Sequence, residues 1–416
     1  MSNMRKIVMI GKQYDTLFLE LAKEYRFAAD KILLVSRYRG TMSDYSDEHI
    51  SYVPTIEHEG ILFRINMSIL IRILKIFLFP YRLIKNNKKV YGIIDPIIQA
   101  LSVSKYVNKL NDVYFVSAHS IFTYGLSSIL CKKHIRVLRP WGGDVYQTPF
   151  NSGLHYKLIK YVLKKADIVD ASTPTLYDYL KLEFDLKNNL VLNEARSYMG
   201  QAEVISVKNK YSKETVREEL NLPKDKIIIA NCRRFKEKWG SEEVFKAFNI
   251  LAEKHDNLHF ILLSGTNSEE KISMKKEILK QNNLISRFTI YENNVDLEMY
   301  AKIIYSSDIF FSLMHNADLR SASILTGMHC ESLPIISDMP EYREMIRSGA
   351  SIQLVPFNDM EEIVKGCERY LEDNTLKKQT LAANSNYILG IITGKEPFAD
   401  LIKRVDELKI QCSHNI

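Results

Sequence analysis

Cysteine is scarce and scattered: the 416-residue chain has five, Cys131, Cys232, Cys330, Cys367 and Cys412, and no two form a CxxC pair. That spacing argues against a disulfide framework or a cysteine-built zinc site and fits a reducing, intracellular compartment. Glycine and proline are sparse too, at 16 and 11 residues, with no low-complexity tract or internal repeat, which excludes a collagen-like chain. Long uncharged apolar runs are missing. The most apolar stretch, MSILIRILKIFLFPYRLIKNNKK at 67–89, is interrupted by Arg72, Lys75, Pro80 and Arg82. It therefore falls short of the ~18 residues that span a bilayer. The run Ile7 to Ile10 is shorter than a signal-peptide core and reads as a first buried strand. A strong charge of either sign is also lacking: 57 Lys and Arg face 50 Asp and Glu, giving +7, with 26% charged and 46% hydrophobic residues. That balance excludes disorder and leaves room for an anionic partner such as phosphate or acidic lipid. The charge is diffuse and no nucleic-acid reading motif occurs, so nucleic acid is not an expected partner.

What is present is alternation. Runs at 6–10, 31–36, 113–118, 136–141, 167–172, 226–232, 258–265, 287–291, 308–313 and 333–338 read as strands. Helical patterns such as 154–165, 213–220, 241–254, 267–282, 297–305 and 321–330 lie between them. Strand and helix in turn indicate βαβ units, hence an α/β chain with parallel, doubly wound sheets. The polar, weakly periodic segment 199–212 marks a boundary. It gives an N-terminal unit 1–200, a C-terminal unit 201–395 and a terminal helix and tail 396–416. Doubly wound sheets bind ligands outside the carboxyl ends of their strands, so a ligand is expected between the halves. The helix candidate 397–410 has apolar residues at 398, 401, 402, 405, 408 and 410 and must dock that face, a return to the N-terminal unit being one solution.

Three segments carry chemistry. Residues 230–240, ANCRRFKEKWG, follow an apolar strand and place Arg233 and Lys238 where two cations can collect a diphosphate; a solvated basic loop has the same composition. Residues 308–338 read strand, loop, helix, strand, with Asp318 in the loop and Ser321 and Ser323 at the helix start. A helix N-terminus offers unpaired amides to phosphate, although Asp and Ser also serve there simply as caps. Residues 136–150, RVLRPWGGDVYQTPF, end a strand in Trp141, Gly142, Gly143 and Asp144, whose glycines permit close backbone approach. His119, in VSAHS at another strand end, is placed to orient a hydroxyl or to serve structure alone.

Together these segments resemble the retaining GT-B glycosyltransferases of the large group typified by bacterial polysaccharide and glycolipid enzymes (family 4, glycosyl transferases group 1). The likeness runs in the right order over most of the chain. His119 resembles the family's histidine after an N-terminal strand, and WGGD at 141–144 resembles its HGSD or WGSD turn. KADIVDASTPTLYDYL at 165–180 is similar to a further strand and helix of that half. Arg233 and Lys238 match the spacing of the GRxxxxKG loop that holds the donor diphosphate. VDLEMYAKIIYSSDIFFSL at 295–313 and DLRSASILTGMHCESLPIISDMPEYRE at 318–344 resemble its later signatures, the second being the most specific. The chain departs from that signature at Thr326, where a second acidic residue is expected eight positions after Asp318, and at Glu331, where glycine is expected. A threonine hydroxyl can still donate to a ribose, but it does not accept bidentately as a carboxylate does.

The resemblance implies two Rossmann-like domains and a donor that is a nucleotide-diphosphate sugar held mainly by the C-terminal unit. It implies catalytic roles for Asp318, Arg233, Lys238 and His119. Binding roles fall to Arg233, Lys238, Ser321, Ser323, Thr326, Gly142, Gly143 and Asp144. No DxD-like pair lies at a suitable strand end, so no cofactor and no metal are expected, positive groups of the chain taking the cation's place on the leaving diphosphate. The acceptor is expected to be a glycan or lipid-linked molecule, in surface polysaccharide or glycoconjugate synthesis. The basic, apolar stretch 64–89 suits the cytoplasmic face of an anionic membrane, or equally a core helix with a solvated end. A catalytically silent glycosyltransferase-like partner and a sugar-nucleotide epimerase are the rival readings.

Overall fold

The computed structural model describes residues 5–11, 22, 25, 28–36, 48–55, 94–193, 200–234, 240–263, 269–315, 322–393 and 398–413. The chain divides into two compact units, Met1–Ala195 with Lys395–Ile416, and Arg196–Gly394.

In the first unit the described strands are β1 (Lys6–Ile10), β2 (Lys31–Ser36), β3 (Ile50–Pro54), β4 (Val113–His119), β5 (Arg136–Arg139), β6 (Ile168–Ala171) and β7 (Leu190–Leu192). They form one parallel sheet in the order β3-β2-β1-β4-β5-β6-β7. All seven residues of β4 are buried, as expected for a strand covered on both faces, so its sequence runs apolar instead of alternating. The strand order reverses between β1 and β4, where Ile10 pairs with Ala118. That is the switch point at which connections leave to opposite faces and open a crevice beyond the carboxyl ends.

The second unit repeats the plan with β8 (Ile227–Arg234), β9 (Leu258–Leu263), β10 (Phe288–Tyr291), β11 (Ile309–Ser312), β12 (Leu333–Ser337) and β13 (Gln353–Val355). The sheet order is β10-β9-β8-β11-β12-β13, all parallel, with the reversal between β8 and β11. Successive β8 residues feed two cores. Ile228, Ala230 and Cys232 join Phe310, Ile324 and Tyr342 on one face, while Ile229 joins Phe248, Phe260 and Phe311 on the other. Gly327 lets the helix Ala322–His329 lie close against β11, since a Cβ there would run into the Phe310 ring.

Three strands escape the sequence pattern: β3, β7 and β13. Each is short and lies at a sheet edge, and β7 is only partly buried throughout, so the apolar run that marks a central strand does not develop. The boundary segment 199–212 is also more ordered than its composition implies. It contains the helix Gln201–Lys210, which belongs to the second unit and turns only Val204 and Val207 inward. Two inward residues are too few to raise a periodic signal. No helix among the described residues is long and apolar enough to cross a membrane.

The final helix, Ala399–Ser413, packs on the first unit. Leu401 and Val405 enter the core with Ile7, Met9 and Phe115, and Phe398 stacks on Tyr25 with ring centroids 4.2 Å apart. Tyr114 donates from its hydroxyl to Asp406 Oδ1 at 2.6 Å, closing the contact with a charge-assisted hydrogen bond. Of the apolar residues in the sequence pattern, Ile410 stays outside at 58% exposure. Phe398→Ala is expected to destabilise the first unit by about 3–5 kcal/mol, the cost of emptying a buried aromatic site. A denaturant midpoint unchanged from wild type would contradict this docking.

Candidate active site

In the second unit, polar groups gather at the β8–β11 switch point. Arg233 lies at the carboxyl end of β8 and is largely buried, its Nε donating to Ser312 Oγ at 2.9 Å on the neighbouring strand. Asn231 grips the same turn: its Nδ2 donates to the Arg233 carbonyl at 3.0 Å and its Oδ1 accepts from the Arg233 amide at 3.3 Å. The Ser323 and Ser312 hydroxyls both hydrogen-bond Cys232, whose thiol burial pushes upward and so keeps protonated. Tyr300 donates to the Cys232 carbonyl at 2.9 Å from a partly buried phenol, which burial holds well above its ordinary value. The strand end is thus fixed from three elements, and the Arg233 guanidinium inherits a defined direction.

The helix Ala322–His329 begins beside this cluster. Ser323 on its first turn reaches Cys232, so the structure brings Ser323 and Arg233 together through one buried sulfur. Thr326 sits further along, 1% exposed, and its Oγ1 meets no hydrogen-bond partner among the described residues. Glu331 follows the helix at φ +56°, the left-handed region that favours glycine. Two lysines compensate. Lys208 Nζ donates to Glu331 Oε1 at 2.6 Å and to the His329 carbonyl at 3.0 Å, and Lys213 Nζ donates to the Glu331 carbonyl at 3.1 Å. Lys238, Asp318 and Ser321 lie outside the described residues.

In the first unit polar groups gather at the carboxyl ends of β4, a switch-point strand, and its neighbour β5. Ser120, directly after His119, adopts φ +77°, unusual for a residue with a side chain. Asp144 holds that turn: it accepts from Ser120 Oγ at 2.9 Å, from the Ile121 amide at 3.1 Å and from the Trp141 amide at 3.0 Å. Burial raises the Asp144 carboxyl, and these three donors oppose the rise. Gly142 and Gly143 open the short helix Gly142–Tyr146, and a Cβ at Gly143 would meet open space. Asp144 therefore ties the WGGD turn to the end of β4, an association the residue spacing did not reveal.

His119 is buried and shares a hydrogen bond of 3.2 Å between its Nε2 and Ser117 Oγ. Burial, then the Arg139 charge, pushes it down to about 3, so it is a neutral imidazole. Beside it, Arg139 donates from Nη1 to Asp170 Oδ2 at 2.7 Å in an ion pair whose side chains are 4% and 0% exposed. The Phe398 ring lies 5.1 Å from the same guanidinium. The sequence contained a signal for this pair: an arginine and an aspartate each set within an apolar strand.

Two units, each a parallel doubly wound sheet with polar groups at the carboxyl ends of its strands, define the GT-B class. Residues 212–386 match the family model described as glycosyl transferases group 1, and residues 97–173 match glycosyl transferase 4-like. These matches support a GT-B, family 4-like glycosyltransferase. It is 24% identical over 219 residues to an uncharacterized glycosyltransferase of Methanocaldococcus jannaschii, the match covering 53% of each chain, so it spans about half the length of that curated relative. Among solved structures, sucrose-phosphate synthase from Thermosynechococcus elongatus is similar with a TM-score of 0.69 at 13% identity, covering 99% of this chain and 100% of that one. HepE from Anabaena, in complex with UDP and glucose, is similar with a TM-score of 0.64 at 12% identity, covering 99% and 100%.

The buried imidazole makes a pH prediction. His119 titrates at about 3 in the fold, against ~6.5 when exposed. The unfolded chain therefore binds more protons inside that window, and stability is lost as pH falls through it. His259 and His329, pushed down to about 4 chiefly by burial, share the trend. His119→Gln is expected to shrink the loss of urea midpoint between about pH 7 and pH 5. An unchanged loss would show that His119 is not held neutral.

Proposed function

We propose that this chain moves a sugar from a nucleotide-diphosphate sugar to a glycan or lipid-linked acceptor with retention at the anomeric carbon, in surface polysaccharide or glycoconjugate synthesis. The observation that carries the reading is Arg233: a cation at the β8–β11 switch point, aimed by Ser312, inside the stretch that matches the group 1 model. A relative of the same fold that holds UDP and glucose supports a nucleoside diphosphate sugar as the donor class.

In this reading Arg233, Lys238 and the amides near Ser321 meet the charge that builds on the departing diphosphate, where fixed positive groups are most effective. The bond from the anomeric carbon to phosphate oxygen breaks, the acceptor hydroxyl bonds to the same face of that carbon, and its proton passes to the departing oxygen. Asp318 faces the donor sugar. Positive groups of the chain supply the compensation a divalent cation would otherwise give, so transfer proceeds without added metal. His119 and the Trp141–Asp144 turn belong to the acceptor side, His119 as a neutral hydrogen-bonding group. The stretch 64–89, which lies outside the described residues, contacts an anionic membrane surface at the cytoplasmic face. The silent-partner reading draws its support from Thr326, which replaces a carboxylate with a buried hydroxyl lacking a partner among the described residues.

Incubation with a panel of nucleotide sugars separates the readings. Donor turnover or transfer is expected; interconversion of donors would favour an epimerase, and no reaction with any donor would favour the silent partner. Arg233→Ala and Lys238→Ala are each expected to weaken UDP binding about tenfold or more, the loss of one charge-assisted contact at ~1.5–3 kcal/mol. Calorimetric dissociation constants unchanged from wild type would refute the diphosphate assignment.

Thr326 gives a sharper pair of readouts. Replacing an unpartnered buried hydroxyl by a methyl group of the same shape costs little or stabilises, whereas losing one hydrogen bond to ligand costs ~0.5–1.5 kcal/mol. Thr326→Val is therefore expected to leave the ligand-free melting temperature equal or higher while weakening UDP binding several-fold. If UDP affinity is untouched, Thr326 does not reach the nucleotide.

A further inference from the structure

The helix Gly153–Lys165 buries His155, Ile159, Val162 and Leu163 against the first unit. Its other face is unlike an ordinary solvated surface. Phe150, on the turn just before it, is 63% exposed, Tyr161 is 52% exposed and Leu154 is 37% exposed. Lys157, Lys164 and Lys165 are exposed on the same side, three, ten and eleven residues after Leu154, while Tyr161 falls seven after it. Those spacings keep all five on one stripe of the helix. No aspartate or glutamate occurs in the helix. One acid stands at its edge: Asp185 lies 3.3 Å from Lys164, but it also lies 3.3 Å from Lys187, so that edge remains cationic.

We propose that this face docks on an anionic lipid bilayer. Single exposed apolar side chains are ordinary, but here Leu154 and Tyr161 share one stripe with three lysines, and Phe150 stands exposed on the turn just before it. A second copy of the chain would set two like-charged stripes against each other. A bilayer suits every group present: isolated apolar side chains enter the headgroup layer, the tyrosine ring sits at its boundary, and lysine stems lie along it with their ammonium groups among lipid phosphates. The inference is independent of the donor assignment, because no residue of the stripe belongs to the β8–β11 cluster.

The test is co-sedimentation of the full chain with phosphatidylcholine vesicles and with vesicles containing about one part in three phosphatidylserine. Wild type is expected to bind the second and not the first. Two triple variants, Lys157→Gln with Lys164→Gln and Lys165→Gln, and Phe150→Ser with Leu154→Ser and Tyr161→Ser, are each expected to lower partitioning about tenfold or more, since both charge and apolar area contribute to interfacial binding. Both are expected to keep wild-type UDP binding and melting temperature, which separates lost docking from lost folding or a lost donor site. Tyr161→Trp supplies a milder variant, whose added fluorescence is expected to shift to the blue with phosphatidylserine vesicles only. Negligible binding of wild type to both vesicles, wild-type partitioning by both triple variants, or binding to a single-stranded RNA oligonucleotide in preference to the vesicles would each overturn the proposal.

Discussion

The ion pair between Arg139 and Asp170 is the constraint around which the first unit's polar centre is organised. Two charges this deeply buried are costly, and removing either alone would strand the other at a penalty of about 3–5 kcal/mol. The pair therefore fixes β5 to β6 and dictates its surroundings. The arginine charge helps to keep His119 neutral, and its guanidinium lies against the Phe398 ring, which in turn stacks on Tyr25. Burial pulls the Asp170 carboxyl upward against the arginine's opposing charge. One contact thus couples a strand end, a neutral imidazole and the returning terminal segment.

The second unit solves the same geometric problem differently. Arg233 lies at the carboxyl end of β8, beside the switch point, and its Nε is anchored by the Ser312 hydroxyl. A hydroxyl fixes direction without cancelling charge, whereas a carboxylate does both. The two arginines thus differ in how they are held, one by a buried carboxylate and the other through a hydroxyl.

How far the sequence foretells this depends on what each residue's signal requires. Central strands such as β4 and β8 are legible because burial on both faces demands unbroken apolar runs. Edge strands β3, β7 and β13 escape because that demand lapses, and the helix Gln201–Lys210 escapes because only Val204 and Val207 face inward. The cations and small polar residues of the site were visible as letters, and Arg233 and Ser323 do fall at one cluster. Their intermediaries were not. Cys232 gave no chemical cue, and the Ser312 anchor depends on β11 lying beside β8, a fact of topology. Likewise Arg139 meets Asp170 only because Leu138 pairs with Val169, setting the next residues side by side. Pairings across a crossover of some thirty residues follow from register, which no local pattern encodes.

The return of the helix Ala399–Ser413 to the first unit makes that unit discontinuous in sequence, while the second is a single uninterrupted segment. During synthesis, which proceeds from the N-terminus, the second unit has all of its residues before the first has its last helix. Until then Tyr25, Tyr114 and the apolar floor beneath Leu401 and Val405 lack their cover. The first-made half of the chain is consequently the last to be completed.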